Sequence, residues 1–191
     1  MSEMTNASRL LLLSSALWHL SEGLLGPLFA VFSERVGGDI LDITGAWAAY
    51  LIVSGLAYPL VGRLMNRSRW KFRVIVVGYA LNTAFTFAYL LVDSTTSLFL
   101  VQVGLGLAEA ISTPSWDALF ARELPDRDDT FLWGIASGHT QFVSGIAVAI
   151  GGLIAAYVSF AALFVTMGVL SALATVVQAR VSWVQEHAAA A

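Results

Sequence analysis

Gly62-Arg63-Leu64-Met65-Asn66-Arg67-Ser68-Arg69-Trp70-Lys71-Phe72-Arg73 holds half of the chain's 10 lysines and arginines, and an apolar run lies on either side of it. The run before it, Ile43 to Val61, and the run after it, Val74 to Val92, are each close to the roughly 20 residues of helix that cross about 30 Å of hydrocarbon. A short, strongly basic connection between two such runs reads as a cytoplasmic loop between membrane spans.

Working outward, the same pattern continues in both directions. Leu10 to Phe32 precedes this pair, and Leu98 to Ala121, Phe131 to Val158 and Phe160 to Ala179 follow it, giving six apolar runs separated by short polar breaks. The first run is too long for a signal-peptide core and has no A-x-A site after it, so it reads as a span. Composition agrees: 58% of the 191 residues are hydrophobic and 12% charged, against about 25% charged in soluble domains, with a mean hydropathy of +0.76. The expectation is an all-α membrane protein with a single six-helix domain over residues 1–191.

With both termini cytoplasmic, every lysine and arginine except Arg35 falls on the cytoplasmic side. Trp70, Trp133 and Trp183 then sit near cytoplasmic helix ends, where an interfacial belt would place them. The chain has no cysteine, which excludes disulfide scaffolds, thiolate zinc sites and thiol catalysis. The formal charge of -3 gives nucleic acid no purchase. His19, His139 and His187 are scattered, and neither G-x-S-x-G nor a phosphate loop occurs, so no enzyme, metal site or cofactor is expected.

An internal repeat is visible. Glu22-Gly23-Leu24-Leu25-Gly26-Pro27 in the first span answers to Glu109-Ala110-Ile111-Ser112-Thr113-Pro114 in the fourth. Val53-Ser54-Gly55-Leu56-Ala57 with Gly62 in the second answers to Val143-Ser144-Gly145-Ile146-Ala147 with Gly152 in the fifth. Residues of about 10–92 thus repeat in about 97–179. Three spans per copy make this a 3+3 inverted repeat, a pattern found in secondary transporters.

These features resemble the amino-terminal six-helix half of the major facilitator superfamily. The loop after the second span is similar to the family's G-x-L-x-D-R-x-G-R-R motif, matching at Gly62, Leu64, Arg67 and Lys71, with Asn66 in place of the acid and Arg69 in place of glycine. Gly104-Leu105-Gly106, Thr113-Pro114, Glu123-Leu124-Pro125 and Gly151-Gly152 add to the resemblance. The family's arginine early in span four would fall at Leu100, and the G-P pair of its antiporters falls at Ala147-Val148. The resemblance implies secondary transport, with the loop residues Gly62, Asn66, Arg67 and Lys71 and the acid Glu123 gating the cytoplasmic side.

Full members have two six-helix halves. A polar cavity lined by one half alone would face lipid, so a partner is expected, and a second copy of this chain can supply it through an ordinary two-fold axis with spans two and five as the seam. Gly55, Gly62, Gly134, Gly138 and Gly145 would permit close helix approach there. As plain membrane-helix composition, these glycines would carry no such message.

The ionisable residues at membrane depth carry any chemistry. Glu22 and Glu109 lie near the middle of spans one and four with no lysine or arginine at that depth, so each can exchange its charge for a proton. His19 and Trp18 lie three and four residues before Glu22, within reach of its helix face. Glu109, Ser112, Thr113 and Trp116 form one stripe, and Ser137, Gln141 and Ser144 another. The site candidates are thus Glu22, Glu109 and His19 for proton coupling, and Trp18, Ser112, Trp116 and Gln141 for a substrate cavity. The alternative role for the acids is as neutral, hydrogen-bonded packing pins, and for the span-five stripe as interhelical glue. Asp117 reads as a partner for the arginine loop and Asn82 as structural, while Pro27 and Pro114 permit bending near the acids.

Proton-coupled efflux of a small cationic or neutral organic compound is the first expectation, and proton-coupled uptake of a neutral solute such as a sugar the second. A non-transporting scaffold, or a subunit of a heteromeric transporter, is the third. The setting is a prokaryotic cytoplasmic membrane.

Overall fold

The computed structural model describes residues 6–66, 68, 70–122 and 129–188. Each apolar run becomes helix: α1 (Asn6–Leu25) and α2 (Leu28–Arg35) from the first, then α3 (Ile40–Met65), α4 (Lys71–Ala88), α5 (Thr95–Arg122), α6 (Asp129–Tyr157) and α7 (Phe160–Ala188). A 3₁₀ turn, Tyr89–Leu91, extends α4. Among the described residues, five stretches are long and apolar enough to cross a membrane: Ile40–Met65, Phe72–Leu91, Thr95–Arg122, Thr130–Tyr157 and Phe160–Val184.

The first run is interrupted where the sequence permits a bend. Pro27 has no N–H to return to the Gly23 carbonyl, and Gly26 takes φ +26°, a conformation other residues rarely adopt. The helix therefore ends one turn after Glu22, whose own carbonyl accepts from the Gly26 N–H at 3.4 Å. Pro114, at the matching position of the repeat, lies inside an unbroken α5. The residue before it is β-branched Thr113, which cannot follow Gly26 into positive φ. Where α3 begins, Asp39 caps the Leu41 and Asp42 N–H groups at 2.8 and 2.9 Å, and Asp42 caps the Asp39 N–H in return.

The helices pack in an open series: α3 on α5, α5 on α4, α4 on α7, α7 on α1 and α1 on α6. Glycine permits several of these contacts. A Cβ at Gly106 would stand 2.7 Å from the Tyr50 carbonyl of α3, and one at Gly151 would collide with the Leu24 carbonyl of α1. The glycines singled out for a seam behave differently: a Cβ at Gly55, Gly134, Gly138 or Gly145 meets nothing within 4 Å, and one at Gly62 meets only Pro114, at 3.9 Å.

Two apolar clusters occupy opposite ends of the bundle. The larger gathers Phe29, Phe32, Tyr89, Leu98, Phe160, Phe164 and Met167, with Phe32 edge-on to Phe164 at 4.7 Å and Tyr89 stacked on Phe164 at 5.1 Å. The smaller, around Leu11, Trp18, Ile75, Tyr79, Leu119 and Val181, lies at the end where α1 and α4 start and α5 and α7 finish. Polar side chains tie the central helices together: Ser14 donates to Gln178 Oε1 at 2.8 Å, and Asn82 Nδ2 donates to the Ser171 hydroxyl at 3.3 Å. Asn82 therefore bridges α4 and α7, in the structural role read for it.

Candidate functional site

A cavity of about 330 Å³ opens between α1, α5 and α6. It runs from the mid-depth acids toward the end of the bundle where α3 finishes and α4 begins, the half with the smaller apolar cluster. On α1 the residues from Leu12 to Glu22 reach it at helical spacing, on α5 those from Glu109 to Asp117, and on α6 those from Trp133 to Gln141.

All seven residues read from the sequence as proton or substrate groups, Trp18, His19, Glu22, Glu109, Ser112, Trp116 and Gln141, line this one cavity. Ser137 joins them, whereas Ser144 of the same stripe instead backs Gly23 at the α1–α6 contact. Asp117, read as a partner for the basic loop, also lies on the cavity wall. So does Trp133, read as a belt residue: it is 38% exposed and packs edge-on to Phe120 at 5.1 Å.

The acids have few partners. Glu109 Oε1 accepts from the Tyr58 hydroxyl of α3 at 2.6 Å, while Oε2 is buried with no hydrogen-bond partner among the described residues. Trp18 lies four residues before Glu22 on α1, and its ring packs 4.4 Å from that of Tyr79. The buried Trp116 Nε1 also lacks a partner among the described residues. Among the described lining residues there are three carboxyls, Glu22, Glu109 and Asp117, and no lysine or arginine. A site of this makeup attracts cations, repels anions and offers donors and aromatic faces to a ligand.

Sequence reading missed several contributors. Tyr58 and Tyr79 carry no spacing signal that links them to the acids, since only tertiary packing brings them there, whereas Ser15, seven residues before Glu22, and Thr140, three after Ser137, lie on helix faces that spacing marks. Of the gating residues, Gly62 sits in the last turns of α3 and Asn66 is its C-cap. Arg67, Glu123 and the Lys71 side chain lie outside the described residues.

An all-α bundle with several membrane-length helices and a cavity between α1, α5 and α6 defines an integral membrane protein. Residues 11–191 match the family model described as the Major Facilitator Superfamily, and the chain belongs to that family, whose members are transporters rather than enzymes. It is 30% identical over 135 residues to a "Proton-coupled antiporter flippase LtaA" of Staphylococcus haemolyticus (strain JCSC1435), covering 69% of this chain and 34% of the relative. A protein of the same name from Staphylococcus saprophyticus subsp. saprophyticus is 25% identical over 133 residues, covering 68% and 33%. The match thus spans about a third of the length of these relatives.

Proposed function

We propose that the chain forms one six-helix half of a secondary transporter that exchanges protons for a small organic cation or neutral compound by alternating access. The observation that carries this reading is the convergence of Glu22 and Glu109 on one cavity that no described lysine or arginine neutralises. The names of the staphylococcal relatives, proton-coupled antiporters, favour proton exchange over uniport. Glu22 and Glu109 are the proton carriers, with His19 beside them, and Trp18, Ser112, Trp116 and Gln141 contact the substrate. The hydroxyl and amide groups among these keep a neutral, sugar-like solute as the second reading.

In this reading α1 and α2 together make one broken span, bringing the spans to six. The packing series supports the 3+3 inverted repeat: exchanging α1 with α5, α3 with α6 and α4 with α7 turns the α3–α5 contact into α6–α1, turns α4–α5 into α7–α1, and leaves α4–α7 unchanged. The cationic loop puts both termini in the cytoplasm, and the bacterial relatives suggest a prokaryotic cytoplasmic membrane. The cavity then opens inward. The other half is a second copy of the chain, docked through α3 and α6, whose Gly55, Gly138 and Gly145 have open space where a partner helix would lie. The basic loop with Glu123 gates the inner side.

The test uses purified chain in liposomes with an acidic lumen and ethidium as the cationic probe. Proton exit should drive ethidium accumulation in the wild type, whereas Glu22→Gln should abolish accumulation and retain ethidium counterflow. Undiminished accumulation in Glu22→Gln would remove Glu22 from the coupling role, and loss of counterflow as well would assign it to binding or folding instead.

A further inference from the structure

Beyond Glu22, on the side away from the large cavity, lies a second cavity of about 100 Å³. Among the described residues, Glu22 alone lines both. The walls of the smaller cavity are mainly apolar, but Thr86, Tyr89 and Gln102 enter it although they are 2%, 3% and 2% exposed. The Tyr89 hydroxyl donates to Gln102 Oε1 at 3.2 Å, which orients the amide, and Gln102 Nε2 has no partner among the described residues. An amide donor left unmet in the interior of a membrane protein is costly, and a leucine of similar volume would avoid that cost. The space beside it has room for about three waters, and polar groups on several sides meet the two to four partners that a buried water needs.

We infer that this cavity is a hydrated proton route connecting Glu22 with the side of the membrane opposite the large cavity. The inference rests on reading Glu22 as the proton carrier. A neutral water accepting from Gln102 Nε2 gives one proton to a Glu22 carboxylate oxygen as it takes another from the water behind it, leaving water and the neutral acid. When the large cavity is open, the same O–H bond breaks toward a water there and the carboxylate is restored. The other titratable groups about Glu22 are His19, Tyr79, Glu109 and Asp117 facing the large cavity, and Tyr50 and Tyr89 facing the small one. In this sequence only the carboxyl of Glu22 changes its proton count. The phenol and amide groups hold and orient water.

X-ray hydroxyl-radical footprinting of the chain in lipid nanodiscs tests the hydration directly. Tyr89 and Met167, each 3% exposed, should be modified at rates typical of residues touching bound water, while Phe164, 2% exposed and outside the cavity lining, should stay inert. Gln102→Leu should lower the Tyr89 and Met167 rates about tenfold. If in the wild type they are as inert as Phe164, the cavity is dry and the proposal fails, whatever the variant does. Infrared spectroscopy then tests the route through hydrogen–deuterium exchange of the carboxyl band that Glu22→Gln removes. In Gln102→Leu the band should persist and exchange about tenfold more slowly. Unchanged exchange defeats this proposal alone, while absence of any band lost in Glu22→Gln defeats the proton-carrier reading with it.

Discussion

The Tyr58 hydroxyl of α3 donates to Glu109 Oε1 of α5 at 2.6 Å. It joins a helix at the open end of the packing series to a mid-depth acid of the cavity, so that movement of α3 relative to α5 changes how Glu109 is held. Since Glu109 Oε2 has no partner among the described residues, this is the bond that orients the carboxyl group. Hydrogen bonds to charged groups are worth about 1.5–3 kcal/mol. Tyr58→Phe should therefore weaken binding of a cationic substrate about tenfold or more with little loss of folded protein, as isothermal titration with ethidium would show. An unchanged affinity would assign the Tyr58 bond to packing.

Adjacent glycines separate packing from open surface. A side chain at Gly151 collides with the Leu24 backbone, whereas a Cβ at Gly152 meets nothing within 4 Å. Overpacking costs about 1–3 kcal/mol, with the upper end expected where the obstacle is backbone and cannot rotate away. Gly151→Leu should lower the thermal unfolding midpoint of the solubilised chain by several degrees and Gly152→Leu should leave it in place. Equal effects would contradict the close α1–α6 contact.

The pairing proposal makes its own prediction. Gly138→Trp, placed where the chain has nothing within 4 Å, should leave folding intact yet shift gently released protein from dimer to monomer in native mass spectrometry. A wild-type chain that is monomeric while other membrane dimers survive the same conditions would exclude the second copy as partner.

The α4–α7 bridge calls for a small number. Interhelical hydrogen bonds in membranes average about 0.6 kcal/mol, with a maximum near 1.7. Asn82→Leu removes the Asn82–Ser171 bond together with an amide whose Oδ1 is unmatched among the described residues, so its net cost should fall at or below that average. Reversible unfolding in mixed micelles would measure it, and a loss beyond about 2 kcal/mol would mean that Asn82 does more than bridge two helices.

Much of the site could be read from the residues because polar groups on apolar helices stand out. Glu22 with His19 and Trp18, and Glu109 with Ser112 and Trp116, recur at the three- and four-residue spacing that puts them on one face, and the structure gathers them into one cavity. The partners that come from other helices could not be read this way. Nothing in the order of residues pairs Tyr58 with Glu109 or Tyr89 with Gln102, because those contacts are made by helix packing. The matched prolines show a further limit. Both fit a bend, but only Pro27, with Gly26 before it, ends its helix, because the backbone conformation of the preceding residue determines whether the ladder breaks. The seam glycines are small enough for close approach, and the structure separates them from Gly106 and Gly151, which are used within the chain.

In the proposed exchange, Glu22 gives up a proton when substrate enters the cavity. The most direct measurement adds ethidium to the solubilised chain in weakly buffered solution and follows released protons with a pH indicator. Proton release on binding is expected from the wild type and less from Glu22→Gln, in which Glu109 remains, with ethidium still bound by the variant. The same release from both proteins, or binding by the wild type without any release, would contradict the proposed exchange.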